Sequence, residues 1–188
     1  MVGSTNMQYN LILTALSAAC LIGCGGGTPL TYDEAMSLMR DRTSDAVRTT
    51  FGSSPHFENQ DEKVTKGYQA LINAHVIACK TDANVAMICE PGPAGDAVTP
   101  SGVSELSTVA GRWVPASVVA IQRSGRNSAT AEVRMSFEPS QLFQDFEEAF
   151  DSIQTPGAMA ALGTRKQGKV VRATFQRYED GWHVETVE

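Results

Sequence analysis

Ser128-Ala129-Thr130-Ala131-Glu132-Val133-Arg134-Met135-Ser136-Phe137 is the stretch from which the fold can be read. Ala131, Val133, Met135 and Phe137 alternate with Thr130, Glu132, Arg134 and Ser136, so an extended chain turns one apolar and one wet face outward. Working backward, Val118 to Arg123 lead into it across Ser124-Gly125-Arg126-Asn127, which reads as a hairpin turn. Working forward, Ser140 is the expected N-cap of a helix that buries Leu142, Phe146, Ala149, Phe150 and Ile153. Asp145, Glu147, Glu148 and Asp151 fall mostly on its opposite face, which reads as a solvated helix surface rather than a carboxylate site.

The chain closes on a second hairpin. Asp180-Gly181 suits a two-residue type I′ turn that pairs Glu179 with Trp182 and puts Val171, Ala173, Phe175, Trp182 and Val184 on one face. Upstream, Thr31-Tyr32-Asp33-Glu34 has capping-box spacing. Met36, Met39, Thr43, Ala46, Val47 and Thr50 then recur at helical intervals, which predicts one helix ending near Phe51-Gly52. Ser53 to Asn59, with Pro55, reads as a loop. Val64, Tyr68, Leu71, Ile72 and His75 predict a second amphipathic helix running toward Cys79, with Val85 to Cys89 a short strand. A hairpin joining Val76–Cys79 to Val85–Cys89 fits the same residues. Glu90 to Gly102 is rich in proline and glycine and reads as one long loop, a length often associated with function or disorder.

Helices first, then meandering strands, one interposed helix and a hairpin carrying Asp180-Gly181-Trp182 between Val170 and Glu185 resemble the nuclear-transport-factor-2-like domains. The strand Ser128 to Val133 is similar to one in such domains, and a cystatin-like arrangement fits the same pattern. The resemblance covers about half the chain after the leader and implies an α+β domain, with N-terminal helices packed on a curved antiparallel sheet to form a cone. By that resemblance Met135, Phe137, Phe175 and Trp182 would face a ligand in the cone; the same residues are equally ordinary core. Enzymes of that fold use an Asp or His base with a Tyr or Asp donor. Here Tyr68 and His75, two helical turns apart, are the nearest such pair, while His56 and His183 stand by a proline and on a polar strand face. Catalytic residues are therefore assigned to none.

Leu21-Ile22-Gly23-Cys24, closing the uncharged stretch Leu11 to Ile22 and followed by Gly25-Gly26-Gly27, resembles the lipobox of bacterial lipoproteins. Twelve helical residues cover about 18 Å against the roughly 30 Å of a hydrocarbon core, so the stretch is too short to span a bilayer and reads as a signal segment. Ser17-Ala18-Ala19 offers an ordinary cleavage site as the alternative. The absence of Lys and Arg before Leu11 departs from the usual pattern, and Met7 is a second candidate start. The resemblance implies a signal peptide over residues 1–23, acylation at Cys24, a flexible linker over 24–30 and one domain over 31–188. Residue 25 is Gly rather than Asp, which by enteric-type sorting implies the outer membrane, facing the periplasm.

Composition agrees with an exported domain. The formal charge is −6 with every charged residue after Gly23, and the pI near 5.1 argues against nucleic acid as a partner. Arg165, Lys166, Lys169 and Arg172, with Arg177 beyond, read as a solvated loop entering a strand, the alternative being a headgroup or acidic-partner contact. With Cys20 leaving in the signal and Cys24 acylated, counting leaves Cys79 and Cys89 as a disulfide pair in an oxidising compartment. The competing reading is a metal site, because His75 and Cys79 stand four apart with Cys89 as a third ligand and no fourth in view. Neither metal nor cofactor is assigned. Gly163 to Lys169 imitates the spacing of a phosphate loop, yet Val170 replaces the hydroxyl and a strand follows where a helix should.

The expected function is that of a membrane-anchored envelope lipoprotein whose non-catalytic domain binds a protein partner or an apolar ligand. Two alternatives stay open. One is a structural accessory lipoprotein of a secretion, pilus or outer-membrane assembly, engaging partners through residues 90 to 102 or the linker. The other is a small-molecule enzyme of the isomerase or dehydratase type.

Overall fold

The computed structural model of the 188-residue chain describes residues 28–42, 46–55, 61–81, 87–95, 97–102 and 104–188. The lipobox, Cys20, Cys24 and His56 lie outside the described residues. The elements in order are α1 (Tyr32–Asp41), β1 (Ala46–Gly52), α2 (Glu62–Asn73), β2 (Ile77–Thr81), β3 (Met87–Pro91), β4 (Val98–Pro100), β5 (Glu105–Arg123), β6 (Ser128–Pro139), α3 (Gln141–Asp145), α4 (Glu147–Ile153), α5 (Pro156–Leu162), β7 (Lys169–Tyr178) and β8 (Gly181–Val187). The class is α+β: helices against a strongly curled antiparallel sheet in the order β1-β5-β6-β7-β8, with β4 also on β5 and β2-β3 a separate hairpin.

The curl originates in β5. Against β1, Val47 pairs with Gly111 and Arg48 with Val109, so Ala110 is an extra residue; against β6, Ala116 and Val119 are passed over in the same way. Each extra residue bends the strand, increases its twist and swaps the faces beyond it. Leu106 and Thr108 therefore point inward before the first bulge, and Trp113, Val118 and Ile121 do so after it. Pro115 is accommodated because β1 begins only opposite Arg112, leaving that edge of β5 unpaired with β1.

Two apolar clusters share this sheet. The first packs Phe51, Tyr68, Leu71, Ile77, Cys89, Leu106, Phe143 and Phe150 from the α2, α3 and α4 side. The second packs α1, through Ala35 and Met39, on Trp113, Ala131, Val133, Met135, Val171, Phe175 and Trp182. Phe137 and Val47 touch both. Gly67 lets α2 and α4 approach: a Cβ there would stand 2.2 Å from Ser152 Oγ and 2.9 Å from the Ala149 carbonyl.

Several sequence expectations are corrected. The single helix expected to end near Phe51 stops at Asp41, and its second half is β1, because Thr49 and Phe51 are fully buried two apart while Val47 and the threonines favour extended backbone. The β2–β3 hairpin, not a helix running to Cys79, carries the cysteines. The helix capped by Ser140 breaks at Phe146 into α3 and α4, Phe143 rather than Leu142 is fully buried, and α5 follows where no helix was expected. Residues 90 to 102 are not one loop: β4 lies within them, and Gly92 and Ala94 donate to the Val76 and His75 carbonyls.

The last turn is Glu179-Asp180, with Tyr178 opposite Gly181 and the positive φ of 132° on Gly181. It is one residue earlier than expected, which slides the pairing by two. Parity is kept, so Val171, Ala173, Phe175 and Trp182 remain on the buried face.

Candidate functional site

Three of the four expected ligand contacts are core. Met135, Phe175 and Trp182 are buried beneath α1, so the interior of the curled sheet is filled by its own side chains. Phe137, half-buried, instead forms a wall of a cleft of about 620 Å³ at the C-terminal end of α1. Its walls include Met39, Trp113 and Phe137, the two rings 5.4 Å apart edge to face, and its charged lining is Arg40, Arg42 and Arg112 with one carboxylate, Glu138. Arg112 Nε donates to Glu138 Oε2 at 2.7 Å, and Arg42 Nη1 donates to the Val184 carbonyl at 2.9 Å. Lys169 Nζ sits 4.8 Å from the Trp113 ring centroid, adding a fourth cation beside the same wall. On an acidic chain, this concentration of cations around an aromatic floor suits an anionic group attached to an apolar one.

Nothing in the sequence places Arg40 beside Arg112. Trp113 lies in the half of β5 hidden by the bulges, and only the packing of α1 across the sheet brings Met39, Arg40 and Arg42 to it.

Cys79 and Cys89 are directly opposed in the β2–β3 hairpin and joined, with sulfurs 2.07 Å apart. The bridge consumes both thiols and overturns the reading in which they and His75 hold a metal. Among the described residues there is no cluster of three or more His, Cys, Asp or Glu side chains placed to hold one.

Tyr68 and His75 are not brought together as a catalytic pair. Tyr68 faces the core and donates its hydroxyl to the Gly52 carbonyl at 2.7 Å; burial pushes that hydroxyl up to about 12. His75 lies beyond the C-cap of α2, exposed, with a φ of 58° that turns the chain toward β2. His183 is exposed on β8, its Nε2 2.9 Å from Asp180 Oδ1.

The basic run is not wholly a solvated loop. Arg165, its side chain 12% exposed, binds Glu147 Oε1 at 3.0 Å and also Asp151, and lies over the Phe143 ring. Two carboxylates expected on a wet helix face thus serve as a latch between α4 and the turn after α5. Lys166 approaches Glu147 at 3.4 Å, while Arg172 approaches Glu132 at 4.0 Å on the exposed sheet face.

No family model, curated protein or solved structure matches this chain. Among the described residues, no helix is long and apolar enough to cross a membrane.

Proposed function

We propose that this chain is a lipid-anchored protein of a bacterial envelope, acylated at Cys24 after removal of residues 1–23, whose domain binds a protein partner rather than catalysing a reaction. The observation that carries the reading is the Cys79–Cys89 bridge, because it pairs the two cysteines that remain once Cys20 leaves and Cys24 is acylated, and it belongs to an oxidising compartment. The curled sheet under α1 suits a cone of the nuclear-transport-factor-2-like kind, and its filled interior favours a protein partner over an apolar ligand inside the cone. That partner meets the cleft rimmed by Arg40, Arg42 and Arg112, presenting an acidic segment with an apolar side chain for the Trp113–Phe137 wall.

Palmitate labelling in the native envelope tests the anchor. Label should enter the wild-type product and not Cys24→Ala; equal labelling of both, or none of either, overturns it. A photo-crosslinking residue in place of Val114 tests the cleft. It should yield an adduct that the Arg40→Glu, Arg42→Glu double variant abolishes, and an adduct indifferent to charge reversal removes the partner from this site.

A further inference from the structure

The carbonyl of Thr28 accepts two hydrogen bonds, from the Trp182 indole at 3.1 Å and from Arg177 Nη1 at 3.3 Å. Trp182 and Arg177 are themselves opposite one another in the β7–β8 pairing. Thr28 is therefore fixed to one end of the sheet. Only Gly25, Gly26 and Gly27 separate it from Cys24, and four residue steps of fully extended chain span at most about 14 Å. If Cys24 carries fatty chains, the domain has no room to stand away from the bilayer, and the end of the sheet that holds Thr28 must lie against it.

That end is identifiable. β7 runs antiparallel to β6, with Ser128 opposite Gln176, so the β5–β6 turn and the β7–β8 turn stand side by side, and Arg177 N donates to the Asn127 carbonyl at 2.8 Å. The β5–β6 turn presents Arg123 and Arg126, both exposed, and Tyr178 is exposed at the end of β7. Arginines suit lipid phosphates, and an exposed tyrosine suits the headgroup layer; the Tyr178 hydroxyl here donates to Glu185 Oε1 at 2.9 Å. Of the two carboxylates at the neighbouring turn, Glu179 and Asp180, the second is engaged by His183.

We propose, on the basis of acylation at Cys24, that a phospholipid bilayer is the docking partner of this edge, with Arg123 and Arg126 at the headgroup phosphates.

Full-length protein made in the native host, carrying radiolabelled palmitate and reconstituted in phosphatidylethanolamine and phosphatidylglycerol vesicles with a headgroup-quenching lipid, provides the test. A fluorophore goes on Gly125→Cys in the β5–β6 turn or on Gly157→Cys in α5, positions where an added Cβ meets nothing within 4 Å. The expected result is loss of fluorescence at 125 and none at 157, with the loss at 125 reduced by Arg123→Gln, Arg126→Gln. Palmitate-labelled protein quenched equally at both positions, or only at 157, overturns the docking and leaves the anchor intact. Protein without palmitate overturns the anchor, and the inference with it.

Discussion

The indole N–H of Trp182 reaches the Thr28 carbonyl across 154 residues of sequence, tying the start of the described chain to its final strand. A neutral hydrogen bond of this kind contributes about 1 kcal/mol net. Trp182→Phe keeps an aromatic ring in the core but removes the donor. It should cost about 1 to 2 kcal/mol and speed amide exchange in residues 28–31 more than in β6, measured by hydrogen exchange. Uniform exchange throughout would show that the contact does not hold this segment.

Gly67 sets the separation of α2 and α4. Gly67→Ala gains up to about 1 kcal/mol of helix propensity, but its methyl meets the Ala149 carbonyl, a backbone group that cannot swing aside. The clash should win, lowering stability by about 1 to 2 kcal/mol and Tm by several degrees in a thermal melt.

Thr49 and Thr108 are opposite one another across β1 and β5, both fully buried, and neither hydroxyl has a hydrogen-bond partner. A buried hydroxyl without a partner costs about 1 to 3 kcal/mol of desolvation. Thr108→Val, which replaces that oxygen with a methyl of similar size, should stabilise the domain by about 1 kcal/mol in urea unfolding. A destabilised variant would mean that the hydroxyl is satisfied in solution.

Cys79 and Cys89 close a loop with a sequence separation of 10, for which chain entropy gives about 2.8 kcal/mol. The Cys79→Ser, Cys89→Ser double variant should unfold at lower urea by that amount. Dithiothreitol should shift the wild type toward the variant and leave the variant unmoved.

Glu147 is held below its ordinary value of 4.5 chiefly by its hydrogen bonds to Arg165. Its folded pKa is depressed, so the unfolded chain binds the proton more readily, and the stabilisation is complete above about 4.5 and lost as pH falls through the folded value. Acid titration of the melting temperature should therefore show a decline below that point. Arg165→Gln should lower Tm at neutral pH, where Glu147 and Asp151 lose their cation, and flatten the decline.

Features set by local chemistry were legible in the order of residues. The Thr31 cap forms, with Glu34 N donating to its hydroxyl at 3.2 Å, and the Ser140 cap forms likewise to Phe143 N. The alternation around Val133 became β6 because a strand with regular pairing keeps period two along its whole length. The Cys79–Cys89 pairing expected from the cysteine spacing and count is the one the structure forms. In the same way, the Asp180–Trp182 region announced a hairpin and its buried face, though not the residue at which it turns.

Everything else depended on contacts between elements distant in the chain. Val118 to Arg123 were legible as the strand before the turn, but the rest of β5 was not, because bulges at Ala110 and Ala116 break the period in a way that imitates neither a strand nor a helix. Residues 46–52 carry a helical recurrence, yet joined the sheet because pairing with β5 buries Thr49 and Phe51 on one face. The cleft was invisible for a plainer reason: Arg40 and Arg112 are 72 positions apart, and their proximity comes from α1 lying across a sheet whose curl no window of sequence contains. Periodicity reports which face of an element is apolar; which elements meet depends on burying those faces together, and that is a property of the whole chain.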